Sequence, residues 1–297
     1  MFLVPEVCVL PVAGLSTRNL PATKVIHKGF LTLHGVPIIQ YAVDACREIG
    51  VKEIVFVYSD EVGKELFERY FAPNEILEHY LKEHGKNDLL KVLHDIVPEN
   101  MKFSFVKQDA PKGNGHAILM AKDIIGKRDF IVMWPDDVYL SLHGMPNVLA
   151  QLAQVYQQTG GVVENIMECR REDMVRYGAL VGAVQDGRIV KAQGLIEKPA
   201  LENVPSNFAS MGPYLLPNVL LDILTEVRTG VGGEVNLSDA IDLAAKRGIP
   251  LHGVLCDAVR FDCGTKYELE KSNIRYSLMQ DESLRVYTRQ LLDSMVL

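Results

Sequence analysis

Residues 7–28 read VCVLPVAGLSTRNLPATKVIHK, and no other segment says as much about the architecture. The run 7–12 is short and apolar, which predicts a buried strand. It flows into a loop of small residues, Ala13 and Gly14 first, whose backbone N–H groups are free to meet phosphate oxygens. Arg18 and Lys28 would then neutralise the charge of a triphosphate. Arginine grips phosphate oxygens bidentately and lysine acts as a point charge. Neither G-x-x-x-x-G-K-[ST] nor G-x-G-x-x-G occurs here, so the loop is neither a P-loop nor a dinucleotide fingerprint. By spacing alone, the same residues also read as a turn carrying solvated basic side chains.

The pattern continues outward. Residues 37–49 have helical spacing, with Ile38, Tyr41, Ala42 and Ala45 on one face and Gly50 closing the helix. Strands are predicted at 54–58, 102–107 and 130–134, with a helix at 112–125. Strands alternating with helices imply right-handed crossovers and a mostly parallel sheet, with ligands outside the carboxyl ends of the strands. Three polar loops follow such ends: 13–28, 108–116 and the pair Asp136-Asp137. Residues 61–93 read as a polar helical insertion. Beyond residue 140, strands are expected at 178–184 and 189–196, helices at 219–227 and 237–246, and a loop at 199–207. Helices then run from 266 to the end. The fold class expected is α/β, a Rossmann-like mixed sheet flanked by helices, as one domain over 1–297.

A length of 297 residues with 48% hydrophobic content allows a sizeable core. The net charge of −7 argues against a nucleic-acid partner, which needs a basic face. Five scattered cysteines without a C-x-x-C pair suggest neither a disulfide framework nor structural zinc. No apolar run reaches membrane-spanning length, and the apolar N-terminus has no basic leader, so a cytoplasmic, non-membrane protein is expected. Amphipathic segments 267–279 and 284–295 suggest a homo-oligomer, dimer or tetramer.

The segment 11–28 resembles the signature loop A-G-L-G-T-R-x-L-P-A-T-K-x-x-P-K-E of bacterial UTP–glucose-1-phosphate uridylyltransferases, in the sugar-nucleotide pyrophosphorylase superfamily. Further blocks follow in the family's order: P-I-I-Q-Y at 37–41, K-G-N-G-H-A at 112–117, P-D-D at 135–137, Y-G at 177–178, E-K-P at 197–199 and F-D-C-G-T-K at 261–266. The resemblance covers about residues 7–280 and implies a glycosyltransferase-A-like fold. It also implies a reaction in which a glucose 1-phosphate oxygen attacks the α-phosphorus of UTP and pyrophosphate leaves. Two anions must meet; unit charges 4 Å apart repel by roughly 4 kcal/mol at an effective dielectric of about 20. The resemblance places Mg²⁺ on Asp136 and Asp262, with Asp137 adjacent. It gives Lys198 to the sugar phosphate, Glu197 to sugar hydroxyls and Gly178 to close approach of the ring. Gln108, Gly113 and Gly115 would frame the base, joined by the backbone of Ala13 and Gly14. It assigns residues 1–140 mainly to the nucleotide and 141–265 mainly to the sugar phosphate. His116, Cys263 and Trp134 are expected to be structural.

Three positions depart from the family. Ser16 stands where the loop has its second glycine, His27-Lys28-Gly29 replaces Pro-Lys-Glu, and Pro213 replaces an arginine. These changes keep open a pyrophosphorylase for another base or sugar phosphate. A non-catalytic regulatory paralogue is the contrasting reading; it would be expected to lose Arg18, Lys28, Lys198, Asp136 or Asp262, and all five are present.

Overall fold

The strand Val7–Pro11 forms the axis of the molecule. In the computed structural model, which describes residues 3–142, 144–227 and 233–295, it lies between Glu53–Tyr58 and Phe130–Val132, parallel to both. With neighbours on each edge and helices on each face, Val7, Cys8, Val9 and Leu10 are all fully buried. Side chains alternate along the strand. Val7 and Val9 therefore join one core, and Cys8 and Leu10 the other. Burying an aliphatic side chain of this kind contributes about 1.5–3 kcal/mol.

The eleven-stranded sheet runs in the order Val184–Asp186, Ile189–Ala192, Leu251–Leu255, Val162–Glu168, Phe208–Leu216, Phe130–Val132, Val7–Pro11, Glu53–Tyr58, Lys102–Lys107. The pair Gly178–Val181 and Gly194–Glu197 branches from Phe208–Leu216. The last four strands of the path are mutually parallel; Phe208–Leu216 is antiparallel to both its neighbours. Ile38–Glu48 and Val148–Thr159 cover one face. Asn114–Met120, Val219–Glu226 and Leu237–Lys246 cover the other.

The expected insertion at 61–93 is three helices, Glu61–Tyr70, Glu75–Glu83 and Asn87–Asp95. Asp60 and Asn74 cap the first two by accepting from Gly63 and Leu77 N–H. The first helix is less polar in function than in composition, since Phe67 and Phe71 stack on Phe56 at 5.1 and 5.6 Å. The predicted strands 178–184 and 189–196 each divide in two, because Gly182 takes a φ of 60° and the pairing breaks there.

Two terminal helices follow, Lys266–Gln280 and Glu282–Met295; residues 296–297 lie outside the described residues. Thr265 caps the first helix, and Tyr276 packs on Phe261 and Tyr41 at 5.1 and 5.7 Å. This fixes the strand that carries Asp262. Among the described residues, no helix is long and apolar enough to cross a membrane, and all five cysteines are free thiols.

Candidate active site

Asp136 leaves the carboxyl end of Phe130–Val132. Asp137 does not continue the expected loop: it opens the strand Asp137–Ser141, which pairs antiparallel with Ala258–Asp262 and sets Asp137 opposite Asp262. The alternation of Val138 and Leu140 with polar neighbours makes this a strand once a partner is supplied, and the partner lies more than 100 residues away. Cys263 N–H donates to the Asp136 carbonyl at 2.8 Å, tying the two acidic corners together. Gly264 marks the meeting point. Its N–H donates to Asp262 Oδ1 at 2.8 Å. A β-carbon on it would stand 3.1 Å from Asp262 Oδ1, 3.2 Å from Asp136 Oδ2 and 3.7 Å from Arg18 Nη2. Arg18, Asp136 and Asp262 thus converge. Lys28 joins them, its Nζ 2.7 Å from Asp136 Oδ2.

Sequence reasoning missed Arg260. Its guanidinium lies 2.6 Å from Asp137 Oδ1 and 3.2 Å from Asp262 Oδ2, with about 15% of the side chain exposed. The available signal was its position two residues before Asp262, which puts both on one face of a strand. Burial pushes the Asp137 carboxyl up to about 7, against the pull of Arg260. Burial also raises Asp136, but the Lys28 ammonium and its hydrogen bond outweigh that and leave Asp136 below the usual carboxylate range.

His27 anchors Lys28. Its Nδ1 accepts from Gly29 N–H at 3.0 Å, so the proton sits on Nε2, which donates to the Val12 carbonyl at 2.9 Å. Burial lowers its pKa to about 4, which keeps the ring neutral. Ser16 adopts φ 56°, ψ 26°, the left-handed conformation that a glycine would take without cost.

Gly178, Glu197 and Lys198 line a cavity of about 190 Å³ together with Ser210, Tyr214, Asn114, Asp137 and Arg260. A β-carbon on Gly178 would meet Ser210 Cβ at 3.3 Å and Glu197 Oε2 at 3.5 Å, so glycine leaves the floor open. Lys198 has φ 43°; its Nζ lies 3.2 Å from Glu197. Pro213 lies outside this cavity and lines a separate one, about 240 Å³, behind Asp137 and Tyr139.

Gln108 is buried at the end of Lys102–Lys107. Its amide nitrogen donates to the Gly113 carbonyl at 3.1 Å and to His116 Nδ1 at 3.0 Å, leaving Oε1 as the remaining polar atom of the amide. Gly113 and Gly115 have a packing reason of their own. A β-carbon on either would stand within 2.9 Å of the Val235 carbonyl, and Gly113 has φ 100°. Ala13 and Gly14 follow the first strand, and Gly14 has open space around it. Among the described residues, no three His, Cys, Asp or Glu side chains gather as a metal cage.

A phosphate-type loop after the first strand, facing paired acids and a lysine-bearing cavity, defines a nucleotide-handling α/β enzyme. The chain matches the nucleotidyl transferase family over residues 8–276 and belongs to that family. Its relatives are more particular. The UTP–glucose-1-phosphate uridylyltransferase of Komagataeibacter xylinus is 39% identical over 274 residues, covering 91% of this chain and 94% of that one. The solved structure of a UDP-glucose pyrophosphorylase complexed with UDP-glucose matches with a TM-score of 0.83 and 32% identity, covering 93% of this chain and 100% of that one. The UTP-bound enzyme of Acinetobacter baumannii matches with a TM-score of 0.85 and 31% identity, covering 98% and 99%.

Proposed function

We propose that this chain transfers a uridylyl group from UTP to α-D-glucose 1-phosphate, releasing pyrophosphate and UDP-glucose. The observation that carries the reading is the convergence of Arg18, Asp136 and Asp262 on Gly264. Arg260, which bridges Asp137 and Asp262, also lines the cavity of Gly178, Glu197 and Lys198. The relatives' names supply the substrates.

The chemistry needs alignment and charge cancellation more than covalent help. Arg18 and Lys28 meet the triphosphate, and Lys198 holds the phosphate of the sugar as a point charge. Glu197 accepts from sugar hydroxyls. Gln108, with both amide protons committed, offers Oε1 to an N–H donor, which the imide of uracil has and the N3 of cytosine lacks. Ala13, Gly14 and the turn carrying Gly113 and Gly115 enclose the base from the backbone side. Asp136 and Asp262 fit a divalent ion: two hard carboxylate oxygens flank one point, in the manner of Mg²⁺ sites completed by phosphate and water. When bound, Mg²⁺ supplies the charge neutralisation that lets the two polyanions approach.

Residues 1–140 carry mainly the nucleotide, and 141–265 mainly the sugar phosphate. The working form is a cytoplasmic homo-oligomer, assembled through Glu282–Met295, where Val286, Tyr287 and Leu292 are at least half exposed. The functional test is pyrophosphate release across the four nucleoside triphosphates and several hexose 1-phosphates. UTP with glucose 1-phosphate should be the preferred pair; clear preference for another pair would overturn the assignment.

A further inference from the structure

The strand Val162–Glu168 carries a glutamate where an aliphatic residue would be expected. Glu164 shares its face with Val162 and Ile166, which pack among Leu180, Leu195 and Leu237. It is fully buried, and its Oε1 has no hydrogen-bond partner. Leaving a carboxylate oxygen unpaired in a core is costly. A feature that weakens the core calls for a reason outside stability.

That reason lies one bond away. Ser210 Oγ donates to Glu164 Oε2, and the Tyr214 hydroxyl lies 3.1 Å from the same serine oxygen. A serine hydroxyl has one proton and two lone pairs. With the proton given to Glu164, Tyr214 must be the donor to Ser210. The serine then has one lone pair left and nothing to donate. Ser210 and Tyr214 both line the cavity of Glu197 and Lys198, and Ser210 stands beside the open floor at Gly178.

We propose that Glu164 sets the sugar specificity of this cavity by holding Ser210 as a pure hydrogen-bond acceptor for one hydroxyl of the hexose 1-phosphate. Ser210 is the residue that touches the sugar; Glu164 is a positioning residue acting through it. The inference rests on the reading of the cavity as the sugar-phosphate site. A site that pairs a particular hydroxyl discriminates against the analogue lacking it, since its own polar group is then left unpaired.

The test is steady-state kinetics at saturating UTP with glucose 1-phosphate, its mono-deoxy analogues and the galactose and mannose epimers. The natural enzyme should show one deoxy analogue with KM raised on the order of tenfold. Ser210→Ala should raise KM for glucose 1-phosphate by about the same factor, erase the penalty for that one analogue and leave KM for UTP unchanged. Glu164→Leu, which suits the apolar surroundings and frees the serine proton, should blunt the same discrimination. Glu164→Gln, whose amide oxygen still accepts from Ser210, should restore it. A purely structural role would lower the folded fraction without changing the ratio between sugars. Lys198→Ala separates the two failures. If it raises KM for glucose 1-phosphate while Ser210→Ala leaves every sugar ratio unchanged, the relay is wrong and the cavity assignment stands. If neither variant moves that KM, both are wrong.

Discussion

Replacing Glu164 by glutamine should change how stability depends on pH, by an amount the structure defines. Burial pushes this carboxyl from an ordinary 4.5 up to about 7, against the hydrogen bond from Ser210. Between those values the unfolded chain has released a proton that the folded chain still holds. Stability therefore falls as pH rises through the window, by about 1.4 kcal/mol per pH unit, and levels off above the folded value. Across the window the loss comes to roughly 3 kcal/mol. Glutamine has no proton to lose. Its own fixed penalty, an amide nitrogen without a partner, is the same at every pH. The stability of the variant relative to the natural protein should thus rise by roughly 3 kcal/mol between about pH 4 and about pH 8 in urea denaturation. Asp137, also raised to about 7, is present in both proteins and cancels from the difference. A difference that stays flat with pH would mean that Glu164 ionises as an ordinary surface acid, and the reading of it as a buried acid held protonated would be refuted.

Four further outcomes are expected. Lys198→Ala should raise KM for glucose 1-phosphate by about 10–100-fold, the worth of a charged hydrogen bond, and far less for UTP; initial-rate kinetics read the ordering. Complete chelation should abolish pyrophosphate release and added Mg²⁺ should restore it, given the Asp136 and Asp262 oxygens on either side of Gly264. Ser16→Gly should raise stability by up to about 1 kcal/mol, since serine is held at φ 56° and loses only a 3.3 Å bond to the Gly14 carbonyl; a drop in denaturation midpoint would contradict this. Light scattering should give a mass that is a multiple of the 33.1 kDa chain.

The central strand was legible because nothing in VCVLP interrupts its apolar run, and Leu237–Lys246 because its period is helical throughout. The strands Val162–Glu168 and Phe208–Leu216 were not singled out. The first carries Glu164 and Asn165 at its middle, the second a Gly-Pro pair, and both features break the pattern that marks a strand. In the site, the loop and the acids could be named from motifs, but the pairing of Asp137 with Asp262 could not. Register between strands more than 100 residues apart is set by packing, which no local pattern encodes. Arg260 went unnoticed for the same reason: a lone arginine in a strand looks like a solvated side chain until two carboxylates are placed against it.

That arginine also explains how three aspartates coexist at one corner. Asp136, Asp137 and Asp262 would each repel a neighbour by roughly 4 kcal/mol at 4 Å and an effective dielectric of about 20. Lys28 offsets the first and Arg260 bridges the other two. Lys198 is likewise matched to Glu197. Arg18, by contrast, is exposed and lies in none of these ion pairs. On the proposed assignment, a phosphate bound by Lys28 or Lys198 would replace one anionic partner with another and gain only the difference. Arg18, which acts on Asp136 only through space, would gain more of the interaction. The matched pairs therefore serve chiefly to hold carboxylates and ammonium groups in place before substrates arrive. Buried ion pairs add little net stability, but they fix geometry, and in-line transfer between two polyanions depends on geometry above all.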